Sequence, residues 1–194
     1  MNNYFTLLPE LPRVPDWILD SIDINERPND VLHLNKDPSK WQQQDYQWIV
    51  PTAGGKIGRK IFSPEVTRWF IENIAGNFNQ KNAGWMYFDE QFPPHCDVTR
   101  DWVLLYNLKT GGDDVKLTFF QEKGKDTINV RGAEFDDESS LTELFTVDSP
   151  PEHCWYLLYT QVVHGIRNQT STRVNLQLSF EAGITPDIFK GESK

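Results

Sequence analysis

Apolar residues recur along this chain with two different periods, and the change from one to the other divides it. Between Ser63 and Gly76 the period is helical: Val66, Trp69, Phe70 and Ile74 form one stripe. Ser63 is placed as N-cap, Pro64 at the first helical position and Glu65 at the positive end of the dipole, with Gly76 to end the helix. This predicts a helix that covers a sheet. From Gly84 onward the period is that of strands. Strands are predicted at 84–88, 102–108, 115–121, 144–147, 154–159, 162–166 and 174–180, with Gly111-Gly112-Asp113-Asp114 as a turn. Residues 102–108 are apolar on both faces, as a strand covered on both sides must be. Short strands at spacings of about ten residues predict a sandwich, barrel or jelly roll.

The last strand carries the most information. Arg173, Asn175, Gln177 and Ser179 alternate strictly with Val174, Leu176, Leu178 and Phe180. The apolar face must pack on something, and the stripe over 66–74 is the candidate. The other face begins with a guanidinium. If that face lines a cavity, the cation needs an anionic partner, because a lone buried charge is very costly. A substrate carboxylate held bidentately would serve.

Elsewhere the pattern is weaker. Residues 1–62 read as an irregular arm punctuated by Pro9, Pro12 and Pro15, where Pro15-Asp16-Trp17 opens a short helix turning Trp17, Ile18 and Ile22 towards a core. Residues 35–48 are polar but carry Trp41, Tyr46 and Trp48. Thr52-Ala53-Gly54-Gly55-Lys56-Ile57-Gly58 lacks the spacing of a phosphate loop and reads as a flexible turn. Residues 122–140 read as edge strands with solvated loops, Asp136-Asp137-Glu138 being a wet loop rather than a cation site. The tail after Gly183 carries no signal, and there is no internal repeat.

Composition narrows the function classes. A chain of 194 residues, 38% hydrophobic and with seven Trp, is expected to form one domain over 1–194, with an arm and helices over 1–83, a core over 84–181 and a tail over 182–194. Nineteen basic against 28 acidic residues leave a net charge of −9, which works against nucleic acid as a partner. Cys96 and Cys154 are too few for a disulfide framework, although one bridge between them is left open. With no signal-peptide layout at the amino terminus and no long apolar run, no membrane partner is expected and the cytoplasm is the expected location.

The candidate chemistry lies in His95-Cys96-Asp97, His164 and Arg173. In an extended strand His95 and Asp97 share a face while Cys96 turns away. Two imidazoles and one carboxylate on one face of a metal are the ligand set of non-haem Fe(II) oxygenases. His153 and Cys154, being adjacent, face opposite ways and make a poor soft-metal site, so a structural role is expected. His33 reads as an ordinary histidine, and the sequon Asn168-Gln169-Thr170 as a turn. Arg100 and Arg167 stand beside the site, either meeting substrate or remaining solvated charges.

Taken in order, Pro93-Pro94-His95-Cys96-Asp97, Arg100, Gly111-Gly112, Thr118-Phe119-Phe120, Leu157-Leu158-Tyr159, Val163-His164-Gly165-Ile166-Arg167-Asn168 and Arg173 resemble the motifs of the Fe(II)/2-oxoglutarate-dependent dioxygenases. The resemblance spans 84–181 and is closest to the prolyl-hydroxylase-like and aspartyl/asparaginyl-hydroxylase-like branches. It implies a mainly β fold, a double-stranded β-helix (jelly roll, cupin-like) with covering helices from the N-terminal region. It implies Fe(II) held by His95, Asp97 and His164, with 2-oxoglutarate as co-substrate and dioxygen as oxidant. The far carboxylate of 2-oxoglutarate would meet Arg173. Asn175 stands where the family often has Ser or Thr, and Asn107 where several relatives place a tyrosine near that carboxylate. The implied reaction hydroxylates an amino-acid side chain, free or in a peptide or protein, releasing succinate and CO2. Asp97 argues for hydroxylation over halogenation, because halogenating relatives vacate that ligand. Two other readings remain: an oxidative demethylase of nucleic acid or a small molecule, and a non-catalytic cupin-like metal-binding barrel. The acidic balance disfavours nucleic acid, and a plain barrel has no need of Arg173.

Overall fold

The computed structural model describes residues 4–22, 46–48, 57–89, 91–125, 131–135 and 137–188. His33, Trp41, the stretch 52–56, Asp136 and the end of the tail lie outside them. The elements are β1 (Phe5–Leu7), α1 (Asp16–Leu19), β2 (Tyr46–Trp48), β3 (Ile57–Ile61), α2 (Pro64–Asn73), β4 (Gly84–Phe88), β5 (Arg100–Lys109), β6 (Lys116–Glu122), β7 (Leu141–Asp148), β8 (Trp155–Tyr159), β9 (Val163–Arg167) and β10 (Arg173–Glu181). A seven-stranded sheet runs in the order β1-β8-β5-β10-β4-β3-β2, and a three-stranded sheet in the order β7-β6-β9. Their pairings are antiparallel. The protein is therefore mainly β, as expected. Among the described residues no helix is long and apolar enough to cross a membrane.

Strand β10 lies inside the larger sheet, between β5 and β4, and is buried along almost its whole length. Its apolar face, with Val174, Leu176, Leu178 and Phe180, packs in one cluster with Val66 and Phe70 of α2, Ile18 of α1, and Trp85, Tyr106 and Trp155. The expected partnership of the last strand with the 66–74 stripe is thus observed. The Phe70 ring stands edge-on to Trp155 at 6.0 Å and tilted against Phe62 at 4.9 Å. A second cluster fills the space between the sheets, with Val103 and Leu105 of β5, Tyr156 and Leu158 of β8, and Leu117 and Phe119 of β6. From outside inwards the layers are helices, large sheet, inner cluster and small sheet. The polar face of β10 looks into that inner space.

Several local expectations change. Helix α2 stops at Asn73, before Gly76: the Ile74 N–H bonds to Phe70 O, and buried Ala75 bridges to Ile188. The helix thus ends short of the glycine, where the chain turns to pair with Ile188. Ser63 does cap it, accepting from Val66 N at 3.3 Å. Ile57 and Gly58, read as part of a flexible turn, open β3, which pairs with β4. In α1 and just after it only Ile18 and Ile22 are buried, while Trp17 is 45% exposed. Strand β7 is longer than the predicted 144–147, because β6 holds it in register from Leu141 to Asp148 although most of its side chains are exposed.

Candidate functional site

The His-x-Asp triplet is not on a regular strand. Only His95 is paired, as an isolated bridge to His164 on one side and to Glu134 on the other. His95 N bonds His164 O and His164 N bonds His95 O, each at 2.9 Å, so the two histidines lie directly opposite each other. Asp97 is drawn in by its own N–H on Thr160 O at 3.1 Å. The convergence expected from strand alternation is therefore made by hydrogen bonds to the β8–β9 connection. Gly165 makes room for it: a Cβ there would stand 3.3 Å from Pro94 Cα.

Each imidazole is oriented the same way. His95 Nδ1 lies 2.9 Å from Pro93 O, and His164 Nδ1 lies 2.9 Å from Val162 O. A carbonyl oxygen only accepts, so each Nδ1 carries the proton and each Nε2 keeps its lone pair. The ring centroids are 4.5 Å apart. Burial holds both imidazoles neutral, and with the proximity of His164 it takes His95 down to about 3. Burial works the other way on Asp97, but Arg100 overcomes it, aided by both histidines, and the carboxyl sits at about 2. Arg100 reaches Asp97 as a fork, Nε to Oδ2 at 2.6 Å and Nη2 to Oδ1 at 3.1 Å. Its Nη1 donates to Ser179 Oγ on β10 at 3.0 Å.

A cavity of about 210 Å³ joins these groups, lined among others by His95, Asp97, Arg100, His164, Arg173 and Asn175. Arg173 is 5% exposed. Its Nη2 donates to Tyr156 Oη at 2.7 Å, and its Nε has no partner. Asn175 Oδ1 is likewise buried without a partner. Asn107 is not part of the cavity lining. It sits behind Tyr156, accepting from Tyr156 Oη at 3.4 Å and donating to Pro150 O. Asn107 holds the tyrosine that holds the arginine.

Among the described residues no group of three His, Cys, Asp or Glu side chains stands ready-made for a metal. Asp97 Oδ1 is 3.9 Å from His95 Nε2, and both carboxylate oxygens are turned to Arg100. The donor types nevertheless suit a divalent ion: two neutral imidazoles with free Nε2 atoms and Nδ1–H groups fixed by carbonyls, beside an ionised carboxylate. Arg167 is partly solvated, as one of its two expected readings had it, and is not free for substrate. It is clamped by Glu138 and Glu143, with its guanidinium 5.0 Å from the centroid of the Phe120 ring. Glu138, read as part of a wet loop, is thus engaged. Neither Cys96 nor Cys154 is in a disulfide. His153 is exposed with φ 60°, and Asn168 takes φ 61° in the expected turn.

The sequence reading missed Tyr156, Thr160 and Gln161. Tyr156 is indistinguishable by pattern from a core aromatic. Thr160 Oγ1 donates to Arg100 O at 2.9 Å, and Gln161 Nε2 donates to Asp97 O at 3.0 Å and Arg100 O at 2.7 Å. Two successive polar residues between apolar strands were the available signal for that pair. No family model and no curated protein matches this chain.

Proposed function

We propose that this protein is an Fe(II)- and 2-oxoglutarate-dependent oxygenase that hydroxylates an amino-acid side chain. The observation that carries the reading is one cavity lined by two imidazoles with free Nε2 atoms, an ionised aspartate and a buried arginine whose Nε has no partner. His95, Asp97 and His164 would hold the iron. Iron held there would activate dioxygen, the oxidant, one oxygen atom ending in succinate as 2-oxoglutarate loses CO2 and the other in the hydroxylated C–H bond.

The chain's own residues bind and orient. Arg173, braced by Tyr156 and Asn107, offers a fixed guanidinium to the far carboxylate of 2-oxoglutarate. Asn175 adds an amide on the same face. Burial keeps the Tyr156 hydroxyl protonated, although Arg173 beside it pulls the other way. Pro93 O and Val162 O keep both imidazoles in the ligating tautomer. Leu105, Leu117 and Leu158 make the remaining wall apolar and limit water near the reacting groups.

The strand order supports a double-stranded β-helix. From β4 the chain alternates between sheets: β4 in the large one, the His95 segment against β9, β5 in the large, β6 and β7 in the small, β8, β9 and β10 in turn. Two cysteines outside any disulfide suit the reducing cytoplasm. A non-catalytic barrel is disfavoured by Arg173, since burying an unpaired guanidinium without an anionic ligand is costly. Anaerobic addition of Fe(II) and 2-oxoglutarate tests the reading: a weak visible charge-transfer band is expected, with succinate on admission of air. Asp97→Ala and His164→Ala should remove both while far-ultraviolet circular dichroism stays unchanged. A folded, iron-loaded protein with no band would sink the assignment.

A further inference from the structure

We propose that the substrate carries a positive charge, the ammonium or guanidinium of a basic amino acid, and that Glu134 selects it. The inference rests on the oxygenase reading and narrows its substrate. Glu134 is the direct antiparallel partner of His95, on the side away from His164. That register is held by Cys96 N on Ala133 O at 2.8 Å and Phe135 N on Pro94 O at 3.0 Å. Directly opposed residues on antiparallel strands share a face. His95 faces the cavity, so Glu134 does too, and it contributes to the lining.

The balance of charge in the cavity points the same way. Its lining carboxylates and guanidinium groups are Asp97, Arg100, Glu134 and Arg173. Asp97 and Arg100 neutralise each other, and Arg173 awaits a carboxylate. The other arginines of this region are engaged, Arg131 by Asp101 and Arg167 by Glu138 and Glu143. Among the described residues the Glu134 carboxylate is left with no cation. It is solvent-exposed, so it stands at the open side of the cavity rather than in its depth. Phe88 and Phe92 also line the cavity, Phe92 edge-on to His95 at 4.3 Å, and aromatic walls favour a cation. An anionic substrate would meet repulsion at Glu134, and a neutral one would gain nothing from it. A long basic side chain anchored at Glu134 leads its methylenes past His95, where the oxidised C–H must lie.

The test is calorimetric titration, with and without Zn(II) and 2-oxoglutarate, of L-lysine, L-arginine, the neutral isostere L-norleucine, and short peptides carrying each. The wild-type protein should prefer a basic ligand over its norleucine counterpart by about tenfold or more. Binding of the free amino acids, or of the peptides alone, identifies the source of the cation. Glu134→Gln should abolish the preference and Glu134→Lys reverse it, with thermal unfolding confirming that both variants fold. Equal binding of lysine and norleucine, no binding of any basic ligand, or a preference that survives both substitutions would overturn the proposal. Failure of the oxygenase reading shows separately, as a missing charge-transfer band in the iron-loaded wild type. The titration without metal still decides the role of Glu134.

Discussion

Arg173 is a cation taken out of water with one hydroxyl for company. Its Nη2 has Tyr156 Oη at 2.7 Å, while its Nε is buried with no partner. A ligand carboxylate that completes this set forms charge-assisted bonds worth about 1.5–3 kcal/mol each. Arg173→Ala should therefore raise the 2-oxoglutarate concentration for half-maximal succinate release by about tenfold to a hundredfold. Tyr156→Phe should do the same to a smaller degree, because it loosens the guanidinium without removing it. An unchanged requirement in Arg173→Ala would move the anchor elsewhere.

The two imidazoles and Asp97 also set the acid limit of the metal-free protein. His95 is held at about 3 against an ordinary 6.5, and burial holds His164 low as well. As pH falls below 6.5 the unfolded chain takes up protons that the folded chain refuses until about 3, so stability falls throughout that window. Asp97, ordinarily 3.8 and here about 2, stabilises the fold fully above 3.8 and loses that contribution towards 2. Both act in the same direction. The urea midpoint of metal-free protein should fall as pH is lowered from about 7 to about 5, and more steeply below about 4. A midpoint constant over that range would contradict the buried, neutral state of the histidines.

Among the elements, β10 was the most legible from sequence and the His95 segment the least. Strict alternation in β10 forces two faces, and its apolar side found the α2 stripe as expected. Nothing in the periodicity of 91–99 reveals how the site closes, because that segment has no ladder of its own. It is held by hydrogen bonds from parts of the chain distant in sequence: β9, the β8–β9 connection and the 133–135 stretch. Gly165 is where this arrangement is most sensitive to volume. A methyl group there would press on Pro94 backbone at 3.3 Å and force the two histidine-bearing segments apart. Gly165→Ala should weaken Co(II) binding by about tenfold, as seen in the d–d absorption of the bound ion, while costing only about 1–2 kcal/mol of stability. Equal Co(II) affinity in the variant would show that the segments yield without moving the ligands.

Across the whole molecule, charge and topology do different things. The net charge of −9 favours encounter with cations before any specific contact is made. If basic amino acids are the substrates, kcat/KM should fall as salt is raised from about 50 to about 500 mM, by more than screening of a neutral analogue allows. A salt-independent kcat/KM would count against steering. Topology brings together residues that lie far apart in sequence: Asp97 from the loop before β5, Arg100 from the start of β5, Tyr156 from β8, His164 from β9 and Arg173 from β10. By itself the sequence determined the classes of element, the two faces of β10, and the residue types able to hold a metal and a carboxylate, because periodicity and side-chain chemistry are local properties. Only the tertiary structure decided that Asn107 reaches Arg173 through Tyr156, and that Glu134 stands beside His95. Those are contacts between segments distant in sequence, and they depend on which segments the fold makes neighbours.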